Sequence, residues 1–522
     1  MQHSTITPAP ARGAAQTLAN FCRTALAWLC LLLFGLLAGL NLLFTVSFEP
    51  HGELRYSEIA LFFRDDLLRT AAAAAVLVLL YCLARRWLQK LSARTLALVI
   101  VQVIFWCGVA WALLVDAAPR ADQAKVLESA AQWLRGDYSS LYFGYMNLFP
   151  YQMGYAALLV PFVLLFGEGN FLAIQVFNAA CIALTFWAVY KVSALLLGRE
   201  TDGGKSVLLL SLGAWCAVMY SVWVYGNVPG NLLAVLALWF QLRWQKEGRS
   251  WWNLLFSGLC IGASILLKDF GLIFLAAQLI LLTLHCIVHQ KPQGLILLLA
   301  ALLVWQGSMH LLLSWGAEKA NHDMGKGVPL MANVVMGLSE EEGTTPGWYT
   351  GYNRDRFMEL GFEREAAEED ARQELQKQIR RLTGDPAGAV RFFHQKTLSQ
   401  WAEPTYQGLW FACSGQMAPP VQDFLYGSGQ KPLVSLMNWY QSLVYAAAFG
   451  FLLARRRSLT LEQLLPGLIV LGGFLFQLFW EAKSQYVIQY FLLSIPYAAA
   501  GLNLFCGWLG AKLAQRGPRL PR

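Results

Sequence analysis

Apolar residues run through this chain in long blocks broken by short polar clusters, the pattern of helices that cross a bilayer. Twelve blocks approach the length, roughly 17–25 residues, that crosses hydrocarbon as a helix. They are 24–46, 67–84, 95–115, 170–196, 206–224, 229–244, 251–267, 270–288, 294–313, 434–454, 463–480 and 487–508. A further run, 153–166, contains Pro161 and closes on the turn-like Gly167-Glu168-Gly169-Asn170. It is short for a crossing, and it decides the topology, because a full crossing there would invert everything after it.

Lys and Arg in short loops mark the cytoplasmic side. They gather at Arg85, Arg86, Lys90 and Arg94, at Arg199 and Lys205, at Arg243, Lys246 and Arg249, at Arg455 to Arg457, and at Lys512, Arg516, Arg519 and Arg522. All fall on one face only if 153–166 dips into the membrane and returns as a juxtamembrane or re-entrant helix. Both termini are then cytoplasmic, and 47–66, 116–169, 225–228, 268–269, 314–433 and 481–486 share the outer face. The predicted fold is an all-α polytopic membrane bundle in four parts. These are an N-terminal transmembrane hairpin (1–94), a transmembrane core (95–313) with its first outer loop at 116–169, an outer helical cap (314–433), and C-terminal transmembrane helices with a tail (434–522).

Composition narrows the class further. With 57% hydrophobic and 14% charged residues the chain is no ordinary soluble globule. Its net charge of +8 is accounted for by cytoplasmic Lys and Arg beside anionic lipid, and no basic-aromatic module points to nucleic acid. Arg12 and Arg23 precede the first span, which continues without an A-x-A-like cleavage site and so reads as an anchor. Nine of the ten cysteines lie in or beside spans and Cys413 stands alone in the long outer loop, so neither a disulfide framework nor metal-ligand spacing emerges. His310, His322 and His394 form no ligand motif. In the cap, the charged run 355–382 favours helix to a stop at Gly384, and Asp385-Pro386 suits the cap and first position of a second helix reaching Trp401.

Function is to be sought on the outer face, first around Asp122. Val126, Leu127, Ala130, Ala131 and Leu134 recur at helical spacing opposite Lys125, Glu128 and Gln132, predicting a helix along the membrane surface that stops at Gly136. Asp122 either caps that helix or serves as a general base; Asp116 and Asp137 are alternative carboxylates. The turns Tyr225-Gly226-Asn227-Val228-Pro229 and Lys268-Asp269 bring an amide and an ammonium to the same face, where charge is expensive and tends to face a cavity or a partner. The alternative for Lys268 and Asp269 is a salt-bridged interfacial turn. Tyr142, Tyr145, Phe149, Tyr151 and Tyr155, with Trp348, Tyr349 and Tyr352 in the cap, line stretches where a sugar or isoprenoid would pack, or are interfacial anchors.

Asp122, the surface helix ending in Leu134-Arg135-Gly136-Asp137-Tyr138, the dipping Phe149-Pro150-Tyr151-Gln152 and the many-span layout resemble membrane glycosyltransferases of the GT-C fold. Closest in pattern are bacterial relatives of protein O-mannosyltransferases and the aminoarabinose transferases of lipid A. Trp480-Glu481-Ala482-Lys483-Ser484-Gln485-Tyr486 is similar to the acidic-to-Tyr segment that many of these enzymes carry before a late span. The resemblance covers roughly 95–290. It implies a bacterial plasma membrane, a polyprenyl-phosphate sugar donor, and transfer to a lipid, glycan or protein acceptor on the extracytoplasmic face.

That chemistry needs a base for the acceptor proton, assigned to Asp122, and a cation for the departing phosphate. Lys268 is best placed for the phosphate, with Lys483 and Lys396 behind it, and Tyr151, Gln152, Asn227, Glu481 and Tyr486 are expected in the pocket. The chain departs from the family where relatives carry acidic pairs: Gln123 follows Asp122 and the second loop offers Asn227. A divalent metal held by Asp122 with Asn227 is therefore in doubt, and stabilisation by lysine alone is the equal alternative. Two other classes compete: a lipid or glycolipid transporter or flippase, disfavoured because neither a repeat nor paired interrupted spans is seen, and a polysaccharide polymerase or ligase.

Overall fold

The computed structural model describes residues 9–50, 56–88, 90–248 and 250–516. Arg249, Arg519 and Arg522 of the basic clusters, and both ends of the chain, lie outside the described residues.

The chain is a multi-pass helical membrane protein. Each of the twelve apolar blocks is helical, but as a count of spans twelve is too high: among the described residues seven helices are long and apolar enough to cross, or nine if each of two bent pairs is one span. The helices Asn227–Glu247 and Gln430–Arg455 are outside that set, and Trp252–Leu267 is shorter. The first two carry polar side chains that point inward, with Gln241, Asn438 and Gln441 almost fully buried. Such residues lower the hydropathy of a helix without facing lipid.

The stretch 116–170, which contains the segment 153–166, begins and ends at the same end of the bundle. The helix Ala93–Val115 ends beside the start of Phe171–Leu197: Gln175 donates to the Ala117 carbonyl at 2.8 Å, and a Cβ on Gly108 would touch Ala179. Two antiparallel neighbours that meet end to start leave the intervening chain on one side. Within it, Asp122–Leu134 buries Val126, Leu127, Ala130 and Ala131, stops at Gly136 with φ 76°, and is tied by Arg135 to Glu168 beyond the far end of Met153–Phe166. The chain turns by 102° before that last helix.

One departure from the all-α expectation is a two-stranded antiparallel hairpin, β1 (Phe44–Pro50) and β2 (Tyr56–Arg64), following the first span. One face of β2 carries half-buried Glu58, buried Ala60 and exposed Phe62, so the alternation of a half-buried strand is blurred. The hairpin is pinned where Val46 N–H donates to Ala402 and the Thr345 hydroxyl accepts from Ala60 N–H. In the cap, the 355–382 run is two helices, Tyr352–Glu359 and Arg364–Gly384, broken where Gly361 and Phe362 take positive φ. Asp385 then caps Pro386–Trp401 by accepting from Gly388 N–H at 2.9 Å.

Two glycines let the outer loops close on one another. A Cβ on Gly154 would lie 2.2 Å from the Leu266 carbonyl oxygen, and one on Gly226 2.0 Å from that of Leu267. Both therefore press against the end of Trp252–Leu267, next to Lys268. Gly226→Ala and Gly154→Ala should each cost about 1–3 kcal/mol through overpacking and lower the thermal midpoint of the detergent-solubilised protein. Gly450→Ala, where nothing lies within 4 Å, should leave it unchanged.

Candidate active site

Three outer segments meet at Lys268. It follows the last residue of Trp252–Leu267 in extended backbone, with φ −162° and ψ 129°, so its side chain leaves the helix axis and turns along the surface. The ammonium sits 4.7 Å from the ring centre of Tyr225 and 5.5 Å from that of Tyr151, a cation held between two aromatic faces. Asp269 is 3.7 Å away, a loose pairing, and the Lys268 side chain is 10% exposed. Gln152 donates to the Tyr225 hydroxyl, fixing the second ring, and its own carbonyl oxygen is buried without a partner.

A second cluster forms on the segment between the last two helices. Glu481 and Lys483 stand two apart in a non-helical segment, where Lys483 N–H donates to the Glu481 carbonyl at 3.1 Å and the two side chains meet. The Lys483 ammonium lies 3.3 Å from a Glu481 oxygen and 3.3 Å from a Glu58 oxygen on β2. Trp348 Nε1 donates to Glu58 at 3.1 Å and the Tyr486 hydroxyl donates to Glu481 at 3.0 Å. Burial pushes the Glu481 carboxyl up, against the pull of Lys483 and Tyr486. Burial opposes the charge on Lys483, but Glu481, Glu58 and Asp122 outweigh it and raise its pKa.

Asp122 lies in the electrostatic neighbourhood of both clusters. Its carboxylate acts electrostatically on Tyr145, Tyr151 and Tyr225 around Lys268, and on Glu481, Lys483 and Tyr486 in the other group. It also reaches Tyr349 and Arg354 of the cap. Asp122 is exposed and is the first residue of its helix; Ala121 occupies the cap position and no side chain caps the end. Its neighbour Gln123 is the buried structural residue, accepting from Val224 N–H at 2.9 Å.

The other expected residues divide. Asp137 accepts from Ser139 N–H at 2.9 Å, which organises a turn and holds its carboxyl low. Asp116 is exposed at the left-handed end of Ala93–Val115. Asn227 begins the helix Asn227–Glu247, buried, with its side-chain oxygen unpartnered. Lys396 is a poor phosphate ligand: fully buried, its ammonium donates to the Gly337 carbonyl and, at 2.7 Å, to that of Trp480. Its work is to hold the cap against the segment that carries Glu481 and Lys483.

Glu58 and Glu403 were not foreseen. Glu58 sat in a stretch read only as an outer loop. Glu403 is buried and accepts from Thr405 N–H, Gln407 N–H and the Ser484 hydroxyl, anchoring the residue after Lys483. Two cavities, about 550 Å³ beside Trp244, Trp251 and Lys291 and about 440 Å³ among Arg23, His285, His289 and Glu462, open at the other end of the bundle. Charge, not volume, marks this face.

Residues 153–307 match the family described as dolichyl-phosphate-mannose-protein mannosyltransferase. Over this segment the chain is similar to that family. The match contains Tyr225, Asn227 and Lys268 and excludes Asp122 and the Glu481–Tyr486 segment. A crystal structure of ArnT from Cupriavidus metallidurans bound to undecaprenyl phosphate is similar over 82% of each chain, at 14% identity and a TM-score of 0.36, which does not fix a common fold. No curated protein matches the sequence.

Burial pushes the Lys396 ammonium down to about 7, with Glu481 pulling the other way. The unfolded lysine keeps its proton to about 10.5. Between those values the unfolded chain binds the extra proton, so stability rises with pH. The thermal midpoint of wild type relative to Lys396→Met should therefore climb from neutral pH to about pH 10; a constant difference would refute the buried-lysine assignment.

Proposed function

We propose that the protein is a membrane glycosyltransferase that takes its sugar from a polyprenyl-phosphate donor and passes it to an acceptor hydroxyl or amine on the extracytoplasmic face, with Asp122 as general base. The acceptor attacks the anomeric carbon as the carbon–oxygen bond to the phosphate breaks. The electron pair leaves on the phosphate oxygen, and the acceptor proton passes to the Asp122 carboxylate. Lys268 faces the departing phosphate, with Tyr151 and Tyr225 on either side of its ammonium.

The observation that carries this reading is the position of Asp122: an exposed carboxylate, unused as a helix cap, acting on both charged clusters. Lys268 is the better phosphate ligand of the two lysines because Lys483 already has two carboxylates beside it. Support for the outer face comes from the basic loops, which lie at the other end, where Arg85 pairs with Asp202 and Lys246 with Glu462. A transporter would place its charged groups near the bilayer midplane; here the clusters around Lys268 and Lys483 lie in the loops between helices.

Asp122→Asn keeps the shape of the side chain and removes the base, so turnover with a polyprenyl-phosphate sugar should fall by at least about a hundredfold with size-exclusion behaviour unchanged. Full activity in that variant would eliminate Asp122 as base. Lys268→Ala should raise the donor KM and lower kcat while the acceptor KM holds; an unchanged donor dependence would remove Lys268 from the phosphate site.

A further inference from the structure

We infer that the Lys483 ammonium is the resident cation of this site, standing where a divalent metal would otherwise bridge Glu58 and Glu481. The inference rests on the transferase reading for its catalytic meaning, although the ion site itself does not.

The donor set decides against a metal. Glu58 and Glu481 arrive from opposite ends of the chain, one on the N-terminal hairpin and one before the last helix, and converge on a single Nζ at 3.3 Å from each. Two carboxylates brought together with little water require a cation between them, or one must take up a proton. Each is also steered by a neutral donor, Trp348 Nε1 on Glu58 and the Tyr486 hydroxyl on Glu481, the kind of outer support that orients ligands around a bound ion. Here the ion is tethered. Its side chain is 13% exposed, and the rings of Trp348 and Tyr349 lie 5.8 and 5.4 Å from the ammonium. Asn227, the other expected ligand, is a buried neutral amide, and no group of three His, Cys, Asp or Glu residues suited to a metal exists among the described residues.

The charge count gives the consequence. Two carboxylates, Glu58 and Glu481, lie 3.3 Å from one ammonium. Lys483 therefore has no net positive charge to offer a donor phosphate, and its place is that of a positioning residue that holds the two acidic side chains together. Glu58 belongs to that device, which makes the hairpin part of the active face.

The test uses the purified full-length protein and Lys483→Ala. Wild-type turnover should survive EDTA, and Mn²⁺ should not shift its thermal midpoint. Lys483→Ala should lose about a hundredfold in rate, and ethylammonium or Mn²⁺, entering between the vacated carboxylates, should restore part of it. Mn²⁺ should also raise the variant's thermal midpoint, a readout that stands even if the transferase reading fails. Where Lys483→Ala does not fold, Lys483→Ala with Glu58→Gln should fold better than the single variant, because one of the opposed charges is gone. Loss of wild-type activity in EDTA with recovery on a divalent metal would overturn the inference. So would a folded Lys483→Ala protein indifferent to both cations, or a double variant no better than the single one.

Discussion

A charge placed where water is scarce must be answered by another charge or by several hydrogen bonds, and the outer end of this bundle is arranged around that requirement. The short segment from Trp480 to Tyr486 meets it residue by residue. Lys396 takes the Trp480 carbonyl, Gln400 donates to that of Glu481, Gly347 accepts from Ala482 N–H, and Glu403 accepts from Ser484. With its backbone satisfied from the cap, the segment presents Glu481 and Lys483 to the same space as Asp122. The cap is thus the part of the protein that makes a buried, charged, non-helical segment tolerable.

Close backbone approach serves the same end around Lys268. Gly154 and Gly226 press against the carbonyls of Leu266 and Leu267, and a side chain at either position would push Tyr151, Tyr225 and Lys268 apart. The two clusters are then built differently. One is a cation between aromatic rings, set by helix ends and glycine contacts; the other is an ammonium between carboxylates, set by hydrogen bonds from the cap. In the proposed reaction the first meets the phosphate and the second holds Glu58 and Glu481 together.

Periodicity and charge made much of this legible in the sequence. The Asp122 helix declared itself by its apolar stripe and Asp385-Pro386 announced a helix start, while the distribution of Lys and Arg gave the expectation that 153–166 returns. The span count was overestimated because block length alone does not separate a lipid-facing helix from one that buries Gln441 and Asn438. Glu58 was hidden because a nine-residue strand with blurred alternation has almost no local signature, and its meaning lies in a contact with Lys483 across nearly the whole chain. Lys396 failed for a related reason: from sequence, a lysine in an outer helix looks available, and only its two carbonyl partners reveal it as structural.

The family match and the charges divide the site in a way that bears on its chemistry. Residues 153–307 include Lys268 and Tyr225, the cation and one of the rings beside it, whereas Asp122, Glu58, Glu481 and Lys483 all come from outside that segment. In the proposed reaction the part that matches the family handles the lipid phosphate, and the base and the lysine between carboxylates are supplied by the first outer loop, the hairpin and the late segment. A phosphate is the same group whatever sugar or acceptor accompanies it, so a helix-end lysine between two rings serves any such donor. The acceptor side has no such constancy. Its residues need only deliver one carboxylate at the right place, and here an internal ammonium, paired with a strand from the N-terminal hairpin, lies in that carboxylate's electrostatic neighbourhood.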